Sequence, residues 1–272
     1  MISKALRTLV PDRYRRSTRF EQLVRGVSAG RVLAGPFQGM RYLDRLHGGV
    51  LLPKLLGTYE RELHPVVEAL VSDPPERVIV AGTAEGYYAV GFARLPGVRE
   101  VIGFEASAAA RADLLALAKL NECEAKLTIH GICTCSALAR LLADGRRTLL
   151  VVDIEGGEAV LLDPQVVPGL ADCRMLIEVH DGFIEGLAAE LTRRFERTHD
   201  VLRIENAART IDDVPSRVRS RLPAAWSGAV LHGIAEWRGN GTPWLLFTPR
   251  SMSVYCGMYD PGRATNTCAS GA

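Results

Sequence analysis

The chain reads as an α/β protein built on a doubly wound, mostly parallel seven-stranded sheet, with a helical and hairpin cap ahead of it. Three observations predict this. From residue 77 onward, short β-branched runs alternate with helix-length amphipathic stretches, the pattern of parallel strands covered by helices on both faces. Asp73-Pro74-Pro75 breaks the chain just before the first of these runs. Two more strand-like runs, at 200–204 and 244–248, follow where the alternation ends.

Taken in order, strands are predicted at 77–81, 100–105, 126–130, 148–153 and 174–179. The helices between and after them are predicted at 86–94, 107–121, 135–143, 158–167 and 182–196. About forty residues separate the last two strands, and they carry Arg209, Arg217, Arg219, Arg221, His232, Trp226 and Trp237. A long insertion at the mouth of a sheet is more often a lid or recognition segment than a linker. Ahead of the break lie a basic helix, a Gly-containing stretch at 32–43 read as a hairpin, and a helix at 58–71. The division is therefore a cap over 1–73, a main domain over 74–250 with its insertion at about 205–240, and a flexible tail over 251–272 rich in Gly, Ser, Thr and Asn.

Composition narrows the functional classes. With 272 residues and 47% apolar content the chain can bury a full core, which excludes a wholly disordered protein. The 33 basic and 31 acidic residues leave a formal charge of +2, giving no global drive toward nucleic acid or anionic membrane. Lys4, Arg7, Arg13, Arg15, Arg16, Arg19 and Arg25 form a local basic cluster, read as a solvated helix. No signal peptide is expected, and no run approaches the roughly 18 apolar residues of a membrane span, so the expectation is a cytoplasmic protein. Six cysteines in a chain with an ample core predict reduced thiols, and the Cys133/Cys135 pair lacks the second pair that a structural zinc requires.

The chemistry concentrates in the turn after the first strand. In an open parallel sheet the ligand sits beyond the carboxyl ends of the strands. Here Gly82 and Gly86 let the backbone of Gly82-Thr83-Ala84-Glu85-Gly86 turn sharply beside a ligand. Glu105 lies nineteen residues past Gly86, at the end of the second strand, where a carboxylate can accept from both hydroxyls of a ribose. A dinucleotide would need G-x-G-x-x-G and a bare helix start for its pyrophosphate. This loop offers Glu85, Tyr87 and Tyr88 instead, which would repel and crowd a pyrophosphate. S-adenosylmethionine has no phosphate and carries a sulfonium cation, so the same residues suit it.

These segments resemble the FkbM-type family of class I S-adenosylmethionine-dependent methyltransferases. Gly82-Thr83-Ala84-Glu85-Gly86-Tyr87-Tyr88 is similar to the family's cofactor loop, and Gly103-Phe104-Glu105-Ala106 to its ribose-binding strand end. Leu117-Ala118-Lys119-Leu120-Asn121 resembles its second-helix ending. Val151-Val152-Asp153-Ile154-Glu155-Gly156-Gly157-Glu158 resembles its fourth-strand motif D-x-E-G-x-E, and Ile177-Glu178-Val179-His180-Asp181 its fifth-strand ending. The stretches 35–42 and 56–63 look like segments of bacterial relatives. Two positions depart from the pattern: Val80 stands where many class I enzymes have an acid, and Ala106 replaces a frequent proline.

The resemblance implies a Rossmann-like fold and transfer of a methyl group to a hydroxyl of a small-molecule or sugar-like acceptor. The cofactor residues are then Gly82, Thr83, Ala84, Glu85, Gly86, Tyr87, Glu105, Ala106, Ile132 and Asp153. Such a reaction needs a base within reach of the acceptor proton. His180, Asp153 and Asp181 are the catalytic candidates, with His180 as base because imidazole titrates near neutrality. Asp153, Glu155, His180 and Asp181 could instead hold a divalent metal. Tyr59, Glu60, Glu155, Trp226, His232 and Trp237 are candidates for the substrate side or a lid, with Tyr59, Glu62 and Leu63 sharing a helix face. Glu158 is read as a first-turn residue favouring the helix dipole. The expected partner is a small-molecule acceptor, with a homodimer as the oligomeric option and neither membrane nor nucleic acid. An RNA or protein methyltransferase using the basic segments, or a cofactor-binding scaffold without catalysis, are the alternatives.

Overall fold

In the computed structural model, residues 12–46, 50–236 and 242–252 are described. A basic helix α1 (Asp12–Ser28) opens this part of the chain, followed by α2 (Leu51–Leu56) and α3 (His64–Ser72). The alternating region then runs β1 (Arg77–Ala81), α4 (Tyr87–Ala93), β2 (Glu100–Phe104), α5 (Ala108–Leu120), β3 (Leu127–His130), α6 (Cys135–Leu142), β4 (Thr148–Val152), α7 (Glu158–Leu161), β5 (Arg174–Glu178) and α8 (Leu187–Phe195). It closes with β6 (His199–Ile204), α9 (Ser216–Arg219), α10 (Ser227–Ile234) and β7 (Trp244–Pro249).

The seven strands form one sheet in the order β3-β2-β1-β4-β5-β7-β6, so the doubly wound reading holds. β1 lies between β2 and β4, both parallel to it, and the chain winds outward in opposite directions from that pair. β7 is antiparallel to both β5 and β6. β1 and β4 are buried on both faces, as central strands should be.

The pleat sorts the core into two halves. Val78, Val80, Val101, Leu149, Val151 and Leu176 face one side, packed with α4, α5 and the residues of the cap. Ile79, Ala81, Ile102, Leu150, Val152 and Met175 face the other, against α6, α7 and α8. The segment before residue 74 thus shares a core with the sheet, through Phe20, Phe37, Met40 and Leu56. Among the described residues no helix is long and apolar enough to cross a membrane.

Helices whose ends carry local signals begin and end close to expectation. Ser107 and Thr134 cap α5 and α6, their hydroxyls accepting from the Ala110 and Ala137 amides. Elsewhere breakers win. α7 stops at Leu161 instead of 167, because Asp163 precedes Pro164 and its carboxylate takes the Gln165 amide. α8 begins at Leu187 instead of 182, after Gly186 at φ +78°.

The cap departs most from expectation. The helix read at 58–71 is a 3₁₀ turn (Arg61–Leu63) followed by α3, with Pro65 in its first turn, and Glu60 at φ +46° interrupts any helix through Tyr59. The hairpin read at 32–43 is a compact loop with a single antiparallel bridge, Arg31 to Arg41. Helix α2 was not predicted; it ends at Gly57, where a Cβ would stand 2.0 Å from the Ala34 carbonyl oxygen. The insertion packs on this cap: Gly233 of α10 meets the Phe20 ring of α1, and Arg16 donates to the Ala225 carbonyl at 2.6 Å. Trp237 and all of the tail beyond residue 252 lie outside the described residues.

His199 gives a test of this packing. Its ring lies between the Thr198 hydroxyl (2.8 Å) and the Cys173 carbonyl (3.0 Å), and burial holds its pKa below the ordinary 6.5. As pH falls past 6.5 the unfolded chain takes up the proton first, so stability is full above that value and declines below it. Urea unfolding should give a lower stability at pH 5.5 than at pH 7.5, and the difference should shrink in His199→Gln.

Candidate functional site

The carboxyl ends of β2, β1, β4 and β5 stand side by side, and the loops leaving them form one surface. The closest approach is between the loops after β1 and β4. Gly82 adopts φ +82°, and a Cβ there would lie 1.6 Å from the Asp153 carbonyl oxygen, so only glycine fits. The Asp153 amide in turn donates to the Ala81 carbonyl at 2.9 Å. The amides of Gly82 and Thr83 both donate to the Phe104 carbonyl of β2, at 2.9 and 3.2 Å.

Glu105 locks the glycine loop to the next helix. One carboxylate oxygen accepts from the Ala84 amide at 2.9 Å and the other from the Ser107 amide at 2.8 Å. A carboxylate offers about four lone-pair directions, so each oxygen keeps acceptor capacity for a ligand hydroxyl. Ala84 holds φ +45° and Glu155 φ +55°, left-handed values that residues with a Cβ adopt at a cost of about 1–3 kcal/mol. Beyond β3, Ile132 is 74% exposed, an apolar side chain standing in solvent next to the Glu105 strand end.

Glu85 does not face this surface. It is buried and accepts from the Tyr42 hydroxyl at 2.5 Å and from the Lys54 ammonium. The pair ties the cofactor-type loop to α2, and Lys54 also sits 4.6 Å above the Tyr59 ring. Tyr87 is 4% exposed, with edge contacts to Phe37 and Tyr59, so it packs into the core beneath the loop. Lys54 and Tyr42 escaped the sequence reading. The usable signal was a lysine inside the apolar run Leu51-Leu52-Pro53-Lys54-Leu55-Leu56, which must either surface or find a buried carboxylate.

At the ends of β4 and β5 an acidic cluster surrounds one imidazole. His180 is 5% exposed; its Nδ1 is 2.8 Å from Glu158 Oε1, and its Nε2 is 3.4 Å from Glu155 Oε2 and 3.7 Å from Asp153 Oδ1. Glu158 is wholly buried, and its other oxygen has no hydrogen-bond partner among the described residues. Its role is therefore to accept the Nδ1 proton, which turns the Nε2 edge toward Asp153 and Glu155. Among the described residues, Asp153, Glu155 and His180 form a group whose ligand-type atoms lie within 4.8 Å of one another. Asp181 is not in it: its carboxylate accepts from the Ala188 amide at 2.9 Å and anchors the start of α8. Glu178, buried at the end of β5, was not singled out from the sequence, yet it is the strongest charge acting on Asp153.

The electrostatics follow from this crowding. Burial, then the charges of Glu178 and Glu60, push Asp153 well above the usual carboxylate range, with His180 opposing. Burial would lower His180, but Glu158, Glu178 and Asp153 outweigh it and raise its pKa. Burial would raise Glu158, but the hydrogen bonds from His180 and the backbone outweigh that and lower it.

The cap supplies the opposite wall. Glu60 accepts from the Tyr88 hydroxyl, and its amide donates to both Glu236 oxygens at 3.2 Å. Arg209 joins Glu236 (2.7 Å) to Glu62 (2.5 Å), and Arg61 pairs with Asp213, so the insertion is strapped to the turn at 59–62. Trp226 is half-buried and His232 exposed, both where the insertion lies against α1.

No protein-family model and no curated protein matches the sequence. Solved structures share the general arrangement of sheet and helices. A protein of Klebsiella pneumoniae assigned as an O-methyltransferase is 12% identical, with a TM-score of 0.44 over 84% of this chain and 89% of that one. The O-methyltransferase TomG of Streptomyces achromogenes, in complex with S-adenosylmethionine, is 13% identical (TM-score 0.42, 66% and 76% of the two chains). Spermidine synthase of Thermotoga maritima is 15% identical (TM-score 0.43, 71% and 60%). At such values the functional reading rests on the chain's own residues.

The buried Lys54–Glu85 pair makes a measurable prediction. Lys54→Met strands a carboxylate in the core and should cost about 3–5 kcal/mol in urea unfolding. The double variant Lys54→Met, Glu85→Leu should recover most of that loss.

Proposed function

We propose that the chain is an S-adenosylmethionine-dependent methyltransferase of the FkbM type, acting on a hydroxyl of a small-molecule or sugar-like acceptor. One observation carries this reading: a ribose-type carboxylate, Glu105, stands two strands from a field of carboxylates around Asp153. Glu155 and Glu178, crowded beside Asp153, would repel a pyrophosphate at the strand ends, whereas a sulfonium cation gains from them. These acids, and not Glu85, whose charge is spent on Lys54, disfavour a dinucleotide.

Each side chain then has a task. Gly82 lets the loop pack directly on the Asp153 carbonyl, and Glu105 accepts the ribose hydroxyls at roughly 1.5–3 kcal/mol per charge-assisted bond. Ile132 offers apolar surface to the base. S-adenosylmethionine, when bound, supplies a methyl group on an already activated sulfur. What the protein must add is alignment and removal of a proton. His180 Nε2, held by Glu158, is placed to take that proton, with Asp153 and Glu155 beside it to orient the hydroxyl.

The same three side chains fit a hard divalent cation, since two carboxylates and an imidazole backed by a buried carboxylate suit magnesium or manganese. A resident ion would be held by Asp153, Glu155 and His180 Nε2 and would acidify the acceptor hydroxyl. Chelation separates the two versions: transfer that survives EDTA assigns the proton to His180, and transfer that stops and returns with added magnesium assigns a metal.

The test of the function is transfer of a labelled methyl group from S-adenosylmethionine into a small-molecule extract of the native host, read by mass spectrometry. His180→Gln should keep cofactor binding and lose transfer by roughly 10²-fold or more, and Asp153→Asn should lose transfer at least as far. Unchanged transfer in both variants would remove these residues from the chemistry.

A further inference from the structure

The order of the strands works as a ruler along the site. Neighbouring strands are about 4.8 Å apart, so β3, β2, β1, β4 and β5 set out successive positions along one edge. On the methyltransferase reading, Ile132 after β3 and Glu105 after β2 take the adenosine end, and the cluster after β4 takes the transferred group. The acceptor is then left with the end of β5, where the chain turns sharply: the Phe183 amide donates to the His180 carbonyl at 2.9 Å.

Phe183 is the residue that this turn presents. Its ring lies nearly parallel to the His180 imidazole, with centroids 5.8 Å apart and 24° between planes, and yet it is 67% exposed. Among the described residues it is the one exposed aromatic among the large hydrophobics left in solvent. Gly156 of the other loop, at φ +103°, borders Phe183: a Cβ there would make ordinary contact, 3.5 Å from the Phe183 Cβ and 3.6 Å from its ring. A large apolar ring lying along the imidazole with its other face open to water is a platform for a ligand.

We propose that Phe183 is a specificity-determining residue on which the acceptor stacks, and that the acceptor is an uncharged ring with neighbouring hydroxyls. The flat face follows from the platform. The hydroxyls follow from Asp153 and Glu155, which stand at the Nε2 edge of the imidazole and can accept from a second hydroxyl while the first faces His180 Nε2. The absence of negative charge follows from Glu155, whose carboxylate would repel a carboxylate or phosphate on the ring. A cyclic polyol and a catechol share this chemistry. The proposal rests on the methyltransferase reading.

The experiment uses the full chain and four acceptors: catechol and methyl glucoside as neutral rings, 3,4-dihydroxybenzoate and glucose 6-phosphate as their anionic counterparts. Methylation of at least one neutral ring is expected, with kcat/KM at least roughly tenfold above that of its anionic counterpart. Phe183→Ala should raise KM for that ring by roughly tenfold with kcat and S-adenosylmethionine affinity little changed, and Phe183→Trp should restore it. A loss in kcat or in cofactor affinity with KM unchanged would overturn the proposal, as would preference for the anionic partner. A chain that binds S-adenosylmethionine but methylates none of the four overturns the acceptor class alone. A chain that does not bind the cofactor overturns the methyltransferase reading and this inference with it.

Discussion

The site exists because two loops touch backbone to backbone. At Gly82 the turn after β1 presses on the Asp153 carbonyl so closely that no side chain fits between them. This contact sits where the sheet reverses its winding, so it fixes how far the glycine loop stands from the acidic cluster. Glu105 then ties the same loop to α5 through two backbone amides, and Glu158 sets the imidazole of His180. Loosening any of these would shift a donor or acceptor by more than a hydrogen bond tolerates. The left-handed backbone at Ala84 and Glu155 is the local strain that this geometry carries.

The cap belongs to the same machine. Its residues share a core with one face of the sheet, and the Lys54–Glu85 pair joins it to the underside of the cofactor-type loop. A buried ion pair of this kind adds little net stability against an apolar alternative, but removal of one partner is costly. That asymmetry fixes the register of the loop on α2. On the opposite side, Arg209 and Arg61 strap the insertion to the turn around Glu60, so the cap and the insertion form one wall facing the strand ends.

The strands were legible because each is a short β-branched run between polar breaks, and β1 occupies the predicted 77–81 while the others agree to within about a residue. Helix lengths were less so, since Pro164 and Gly186 act locally on patterns that remain amphipathic beyond them. In the site, Asp153, Glu155 and His180 could be gathered from strand-end positions alone. The direction of a side chain in a turn could not: Glu85 and Asp181 have no period to place them, and both turned to partners distant in sequence or inside the backbone. Glu158 and Glu178 were in quoted motifs, but their burial against His180 and Asp153 depends on the packing of α7 on β5, which no local pattern encodes.

On the proposed function, the strand ends are built for a cofactor with a ribose and a positive centre, and not for a pyrophosphate. Isothermal titration of the full chain with S-adenosylmethionine and, in parallel, with NAD tests it directly. Saturable binding of S-adenosylmethionine that falls in Glu105→Ala, with no heat from NAD, is the predicted result. Tight NAD binding with none for S-adenosylmethionine would contradict it.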